Sequence, residues 1–192
     1  MTLLTGREII DIIIMTLGVG FIFKDIFVVH KIPVGEKYDP LLHRPNRMEN
    51  LKLAVLITAP AVIFHELAHK FAALYYGLEA TFHAAYGWLG FGILLKLLNS
   101  GFIFFVPGYV THSSAALPLQ TVVIAFAGPF LNLVLWLGSW YLLKQHEYTG
   151  KKLVVLLLTK RINMFLFFFN MIPIGFFDGK HVVEGLIEHF LV

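Results

Sequence analysis

The chain predicts a membrane all-α fold: a polytopic bundle of about four transmembrane helices, with a membrane-associated β-hairpin between the second and the third. Three observations predict it. Of the 192 residues, 58% are hydrophobic and only 14% charged, against roughly 25% charged in an ordinary soluble domain. Mean hydropathy is +0.77. Apolar runs long enough to cross a bilayer recur along the chain, and a water-soluble fold of this length could not hide 19 phenylalanines among them. Residues 1–192 are therefore expected to form one integral, multi-pass domain of the cell membrane, with the lipid bilayer as its solvent.

Each element follows in order. Ile9 to Val29 is a first membrane helix, interrupted near its ends by Asp11, Lys24 and Asp25. It lacks a signal-peptide cleavage pattern and is expected to be retained. Residues 30 to 50 are a polar loop with Pro33, Pro40 and Pro45. Leu51 to Tyr76 is the second helix, with Pro60 inside it and Gly77 to end it. Thr81 to Val110 is apolar but rich in glycine. Asn99-Ser100-Gly101 reads as a turn between Phe91–Leu98 and Phe102–Val106, hence the hairpin; one broken helix is the alternative. Leu117 to Leu143 and Leu153 to Ile172 are the third and fourth spans. Pro173 breaks the chain, and Val182 to Leu191 forms a short terminal helix.

The net charge of +3 is too small to suggest a nucleic-acid partner, and none is expected. The excess Lys and Arg suits loops at a membrane surface. The chain has no cysteine, which excludes disulfides and thiolate-bound metal.

The chemistry concentrates in His65-Glu66-Leu67-Ala68-His69, inside the second helix. Residues i and i+4 return to nearly the same helix face, so both imidazoles can reach one metal ion. Glu66, beside that face, can reach a water on the metal. This is the H-E-x-x-H zinc-peptidase pattern. Ionisable side chains in a membrane helix are costly and are functional candidates by default. A catalytic zinc usually takes three protein ligands and keeps one position open. The best third candidate is Asp178, in Asn170-Met171-Ile172-Pro173-Ile174-Gly175-Phe176-Phe177-Asp178-Gly179. A carboxylate in so apolar a stretch needs a partner, and a divalent cation supplies one.

With these residues in place, the chain resembles the site-2 protease family of intramembrane zinc metalloproteases. The zinc helix matches His65-Glu66-Leu67-Ala68-His69 with Tyr76-Gly77. The G-P-x-x-N helix matches Gly128-Pro129-Phe130-Leu131-Asn132. The N-P-D-G element matches Asn170, Pro173, Asp178 and Gly179. The likeness spans roughly residues 50 to 190. It implies that His65, His69 and Asp178 bind zinc, that Glu66 is the general base, and that Asn170 positions substrate or stabilises the oxyanion. It also implies transmembrane protein substrates, and a minimal form without PDZ or nucleotide-sensing domains. The positive-inside rule and the family pattern give opposite membrane orientations.

Other readings remain at this stage. The same residues could serve a catalytically inactive zinc-binding membrane scaffold, although a purely structural site does not need Glu66. A metal transporter would show polar groups across the bilayer, and the sequence shows one cluster. Asn132 is expected to pack helices through hydrogen bonds, and Gly128 and Pro129 to allow close packing or a kink. His181, near Asp178, is the histidine outside the motif best placed to support the site.

Overall fold

The computed structural model describes residues 3–26, 46–100 and 106–191. Among these residues, six helices and two strands follow in the order α1 (Gly6–Phe23), α2 (Arg47–Tyr75), β1 (Ala80–Ala84), α3 (Tyr86–Leu97), β2 (Gly108–His112), α4 (Pro118–Gln145), α5 (Gly150–Asn170) and α6 (Asp178–Leu191). Three of them, α2, α4 and α5, are long and apolar enough to cross a membrane. α4 is central and packs on α2, α5 and α6. Side chains such as Val134, Leu137, Phe165 and Phe168 stay exposed on α4 and α5, as lipid contact would require.

Local chemistry sets the helix ends. Thr5 and Glu8 form a capping box at the start of α1: Thr5 Oγ1 accepts from the Glu8 amide at 3.3 Å, and Glu8 Oε2 accepts from the Thr5 amide at 2.8 Å. α2 runs through Pro60 and stops at Gly77, whose φ is +76°. There the Leu78 amide donates to Ala73 O at 3.1 Å and the Gly77 amide to Leu74 O at 3.0 Å, a Schellman ending.

The hairpin expectation needs correcting. A two-stranded antiparallel sheet does exist, with Thr81 opposite Thr111 and His83 opposite Tyr109. Its strands are Ala80–Ala84 and Gly108–His112, joined through a helix rather than a tight turn. The run Phe91–Leu98 is helical up to Leu97. The predicted second strand, Phe102–Val106, lies outside the described residues except for Val106. Asn99 is still a turn residue, at φ +53°, but it ends a helix. The Ser100 amide donates to Leu95 O and the Asn99 amide to Lys96 O, each at 3.0 Å, so the asparagine supplies the left-handed position that glycine fills after α2.

The first predicted span also differs. α1 is 18 residues long and ends at Phe23; residues 27–29 lie outside the described ones. Arg7, Glu8 and Asp11 fall within it, and Glu8 and Asp11 are buried. Both turn towards β1. The terminal helix begins at Asp178 rather than Val182, because the turn after Pro173 is complete by Phe177.

The apolar packing follows the same plan. Met15 and Val19 of α1 meet Phe82 and Ala84 of β1 and Leu89 of α3. Leu53, Ala54 and Ile57 of α2 meet Val154, Val155, Leu158 and Ile162 of α5. Between α1 and α2 lies one buried ion pair, Lys70 Nζ with Glu8 Oε1, both side chains 1% exposed. Removing one partner of such a pair leaves a charge without solvent or counter-charge. Lys70→Ala is expected to lower stability by about 3–5 kcal/mol, and adding Glu8→Gln to recover part of it. Thermal unfolding of the three chains in detergent measures both effects.

Candidate metal centre

α2 brings His65 and His69 to one face, and the α5–α6 turn brings Asp178 to meet them. The Nε2 atoms of the two histidines lie 3.1 Å apart. His65 Nε2 is 3.1 Å from Asp178 Oδ2, and His69 Nε2 is 3.4 Å from Asp178 Oδ1. Both histidines are buried, at 6% and 7% exposed.

The hydrogen bonds behind the rings fix what faces forward. His69 Nδ1 is 2.7 Å from Ile124 O. A carbonyl only accepts, so Nδ1 carries the proton. His65 Nδ1 is 2.6 Å from Asn132 Oδ1. The Asn132 amide cannot be turned round, because Nδ2 donates to Ala61 O at 3.1 Å and to Asn163 Oδ1 at 2.8 Å. His65 Nδ1 therefore donates as well. In the neutral imidazoles, both Nε2 atoms then present lone pairs to each other and to a carboxylate. Asp178 Oδ2 is buried without a hydrogen-bond partner among the described residues.

Three converging lone-pair donors repel one another unless a cation sits among them. Among the described residues, His65, His69 and Asp178 are the group of this kind that could hold a metal ion. Zinc bonds of about 2.0–2.2 Å in tetrahedral geometry place donors about 3.3–3.6 Å apart, close to the separations seen. Two imidazoles and a carboxylate also match zinc in donor type.

Neighbouring elements are shaped around the cluster. A Cβ at Gly128 of α4 would sit on the His69 ring and 2.8 Å from His65 Cε1, so glycine is what lets α4 approach. A Cβ at Gly179 would run into the carbonyls of Met171 and Ile172. Glycine after Asp178 thus lets the start of α6 fold back on the end of α5. Between them Pro173 cannot continue the helix, and Gly175 turns the chain at φ +64°.

A cavity of about 390 Å³ adjoins the cluster. His65, Glu66, His69, Asp178 and Asn170 all line it, so every sequence-predicted site residue reaches one place. Gly108, Val110 and His112 of β2 line its other side, and His181 lies at its wall. Sequence reasoning took Asn132 for a helix-packing residue; it is that, and it also holds the His65 ring. Asn163, 1% exposed, went unnoticed. It accepts from Asn132 and donates to Thr159 O at 2.8 Å. An asparagine inside the apolar run from Leu153 to Ile172 was the available signal.

Three known proteins are similar to this chain in sequence. The archaeal protein named "Putative zinc metalloprotease MJ0611", of Methanocaldococcus jannaschii, is 31% identical over 185 residues, covering 93% of this chain and 84% of its own. The chain belongs to this zinc metalloprotease family. Two bacterial members carry the same designation: sll0528 of Synechocystis, 27% identical over 135 residues, and YwhC of Bacillus subtilis, 29% identical over 141. The metalloprotease matches cover 70% and 64% of this chain, and 31% and 64% of those two relatives. No family model and no solved structure matches the chain.

Groups that orient metal ligands from behind are worth about 10–100-fold in metal affinity. Asn132→Ala is expected to weaken zinc binding by that factor, measured by competition with a chelator. Gly128→Ala should weaken it too, whereas Gly138→Ala, where a Cβ meets nothing within 4 Å, should not.

Proposed function

We propose that this protein is a zinc-dependent intramembrane endopeptidase of the site-2 protease type, hydrolysing peptide bonds within or near transmembrane segments of membrane proteins. The observation that carries the reading is the convergence of His65, His69 and Asp178 on one point, with Glu66 beside them in a shared cavity. That cluster lies between helices apolar enough to cross a bilayer; on this reading the protein is a multi-pass one of the cell membrane.

His65, His69 and Asp178 hold the metal ion in this reading. When bound, zinc supplies Lewis acidity towards water and the scissile carbonyl. Glu66, 8% exposed and facing the cavity, takes a proton from the attacking water and passes it to the leaving amine. Asn132 and Ile124 O keep both Nδ1 protons in place, so the Nε2 lone pairs stay directed at the metal site. Asn170, at the end of α5 and on the cavity wall, orients the substrate carbonyl.

A peptide bond in a helix has its carbonyl engaged and its backbone shielded. Cleavage therefore needs an extended substrate, and β2 offers a strand edge on the cavity wall to which such a segment can add. Substrates with Gly, Pro or Asn near the cut are favoured because they unwind at lower cost.

The deciding experiment compares zinc content and cleavage. The wild-type chain should purify with about one zinc, and Asp178→Ala with far less. Glu66→Gln should keep the zinc and lose at least about 10²-fold in turnover of single-span reporters. Wild-type protein without zinc, after purification free of chelator, would sink the reading; normal turnover by Glu66→Gln would remove that residue from the mechanism. Reporters with helix breakers should be cut faster than uniform leucine spans, and equal rates would remove the unwinding step.

A further inference from the structure

The small sheet has two outer edges, and the structure treats them differently. Flanking bonds set the phase of the ladder: the Ser113 amide donates to Glu79 O at 3.0 Å and the Ala85 amide to Pro107 O at 3.1 Å. Alternate residues of an antiparallel strand turn their amides and carbonyls to opposite edges. Thr81 and His83 therefore pair with Thr111 and Tyr109, while Ala80, Phe82 and Ala84 face away from β2. By the same alternation Gly108, Val110 and His112 face away from β1, and all three line the cavity.

On the β1 edge the amides of Phe82 and Ala84, two of the three outward ones, are already taken. Phe82 N donates to Glu8 Oε1 at 2.8 Å, and Ala84 N donates to Asp11 Oδ2 at 3.3 Å. Both carboxylates come from one face of α1, three residues apart. Each has a second anchor: Lys70 holds Glu8, and the Tyr86 hydroxyl donates to Asp11 Oδ1. Lys70 follows His69 directly in the chain.

We propose that Glu8 and Asp11 are positioning residues that close the β1 edge, so that an incoming peptide strand adds on β2, beside His65, His69 and Asp178. The inference rests on the peptidase reading above. Carboxylates suit the task because they satisfy strand amides and repel the carbonyls of an approaching strand. Buried charge at an edge is a known guard against strand addition. The tie from Glu8 to Lys70 also fixes the sheet along the metal-binding helix, and so fixes the register of whatever adds to β2.

The absence of cysteine in the chain allows a direct test. Thr81 and Thr111 are exposed cross-strand partners, and Thr81→Cys or Thr111→Cys can each be placed in the full chain, with Glu66→Gln to stop turnover. The probe is a synthetic single-span leucine-alanine peptide with a Gly-Pro pair and one adjacent cysteine. Disulfide trapping at position 111 should exceed that at 81 by at least roughly fivefold, the worth of about one edge hydrogen bond. Asp11→Ala should erase most of that preference, and Asp11→Asn, which keeps the acceptor oxygen, should restore it. Equal trapping with Glu8 and Asp11 intact, no trapping on either strand, or an unchanged preference in Asp11→Ala would overturn the proposal. Hydrogen exchange of the unmodified chain gives a reading without variants. The Phe82 and Ala84 amides should exchange at least about tenfold more slowly than those of Val110 and His112, and equal rates would overturn it. The peptidase reading fails separately, if the wild-type chain cannot cut the same peptide.

Discussion

Three lone pairs directed at one point, from His65, His69 and Asp178, form the constraint around which the rest of this protein is arranged. Such an array is repulsive on its own and attractive once a cation enters. It must be held from outside, and the holding groups come from different parts of the chain. Ile124 and Asn132 of α4 fix the two imidazoles. Asn163 of α5 fixes Asn132. Gly128 and Gly179 remove the side chains that would block the approach of α4 and α6. Each of these would be a weak feature of an apolar helix elsewhere. Here they are consecutive layers behind the same two rings.

The same rule governs the packing of α1 against α2 and the sheet. An apolar interior penalises unpaired polar groups, and the charges on α1 obey it. Glu8 accepts from Thr5 and Phe82 and pairs with Lys70; Asp11 accepts from Ala84 and Tyr86. These contacts bind α1, α2 and the sheet into one frame. The histidines sit one step along α2 from Lys70, so the frame and the metal centre share a helix turn. Polar chemistry is thereby gathered along a path through the bundle, while most of the exposed middle of α4 and α5 is apolar, with Arg161 of α5 the exposed exception among the described residues.

How far this was legible in the sequence depended on the range over which each signal acts. His65 and His69 were readable because helical periodicity alone places them together. Asp178 was readable because Pro173, Gly175 and Gly179 mark an irregular segment around an isolated acid. The helix ends at Gly77 and the break at Pro173 follow from backbone chemistry within a few residues. The sheet was located only roughly. Ala80–Ala84 carries little strand signal, and Asn99 marks a left-handed residue without saying whether a strand or a helix precedes it. Asp11 read as an interruption of a membrane span, and Glu8 fell outside that span and drew no reading, because their partners, Phe82 and Ala84, lie more than seventy residues away. Asn163 is similar: its meaning depends on Asn132, and a single sequence shows no link between them.

The three donors also differ in how firmly they are placed, and this bears on how the site can work. His65 and His69 are fixed by a continuous helix and by hydrogen bonds from α4. Asp178 arrives on a turn whose shape depends on Pro173, Gly175 and Gly179, and Phe176 of that turn packs against Trp88 of α3 with ring centroids 5.9 Å apart. A cation joining all three therefore links a rigid helix to a turn that also forms part of the cavity wall. The metal centre and the cavity facing β2 thus share one wall, built from that turn.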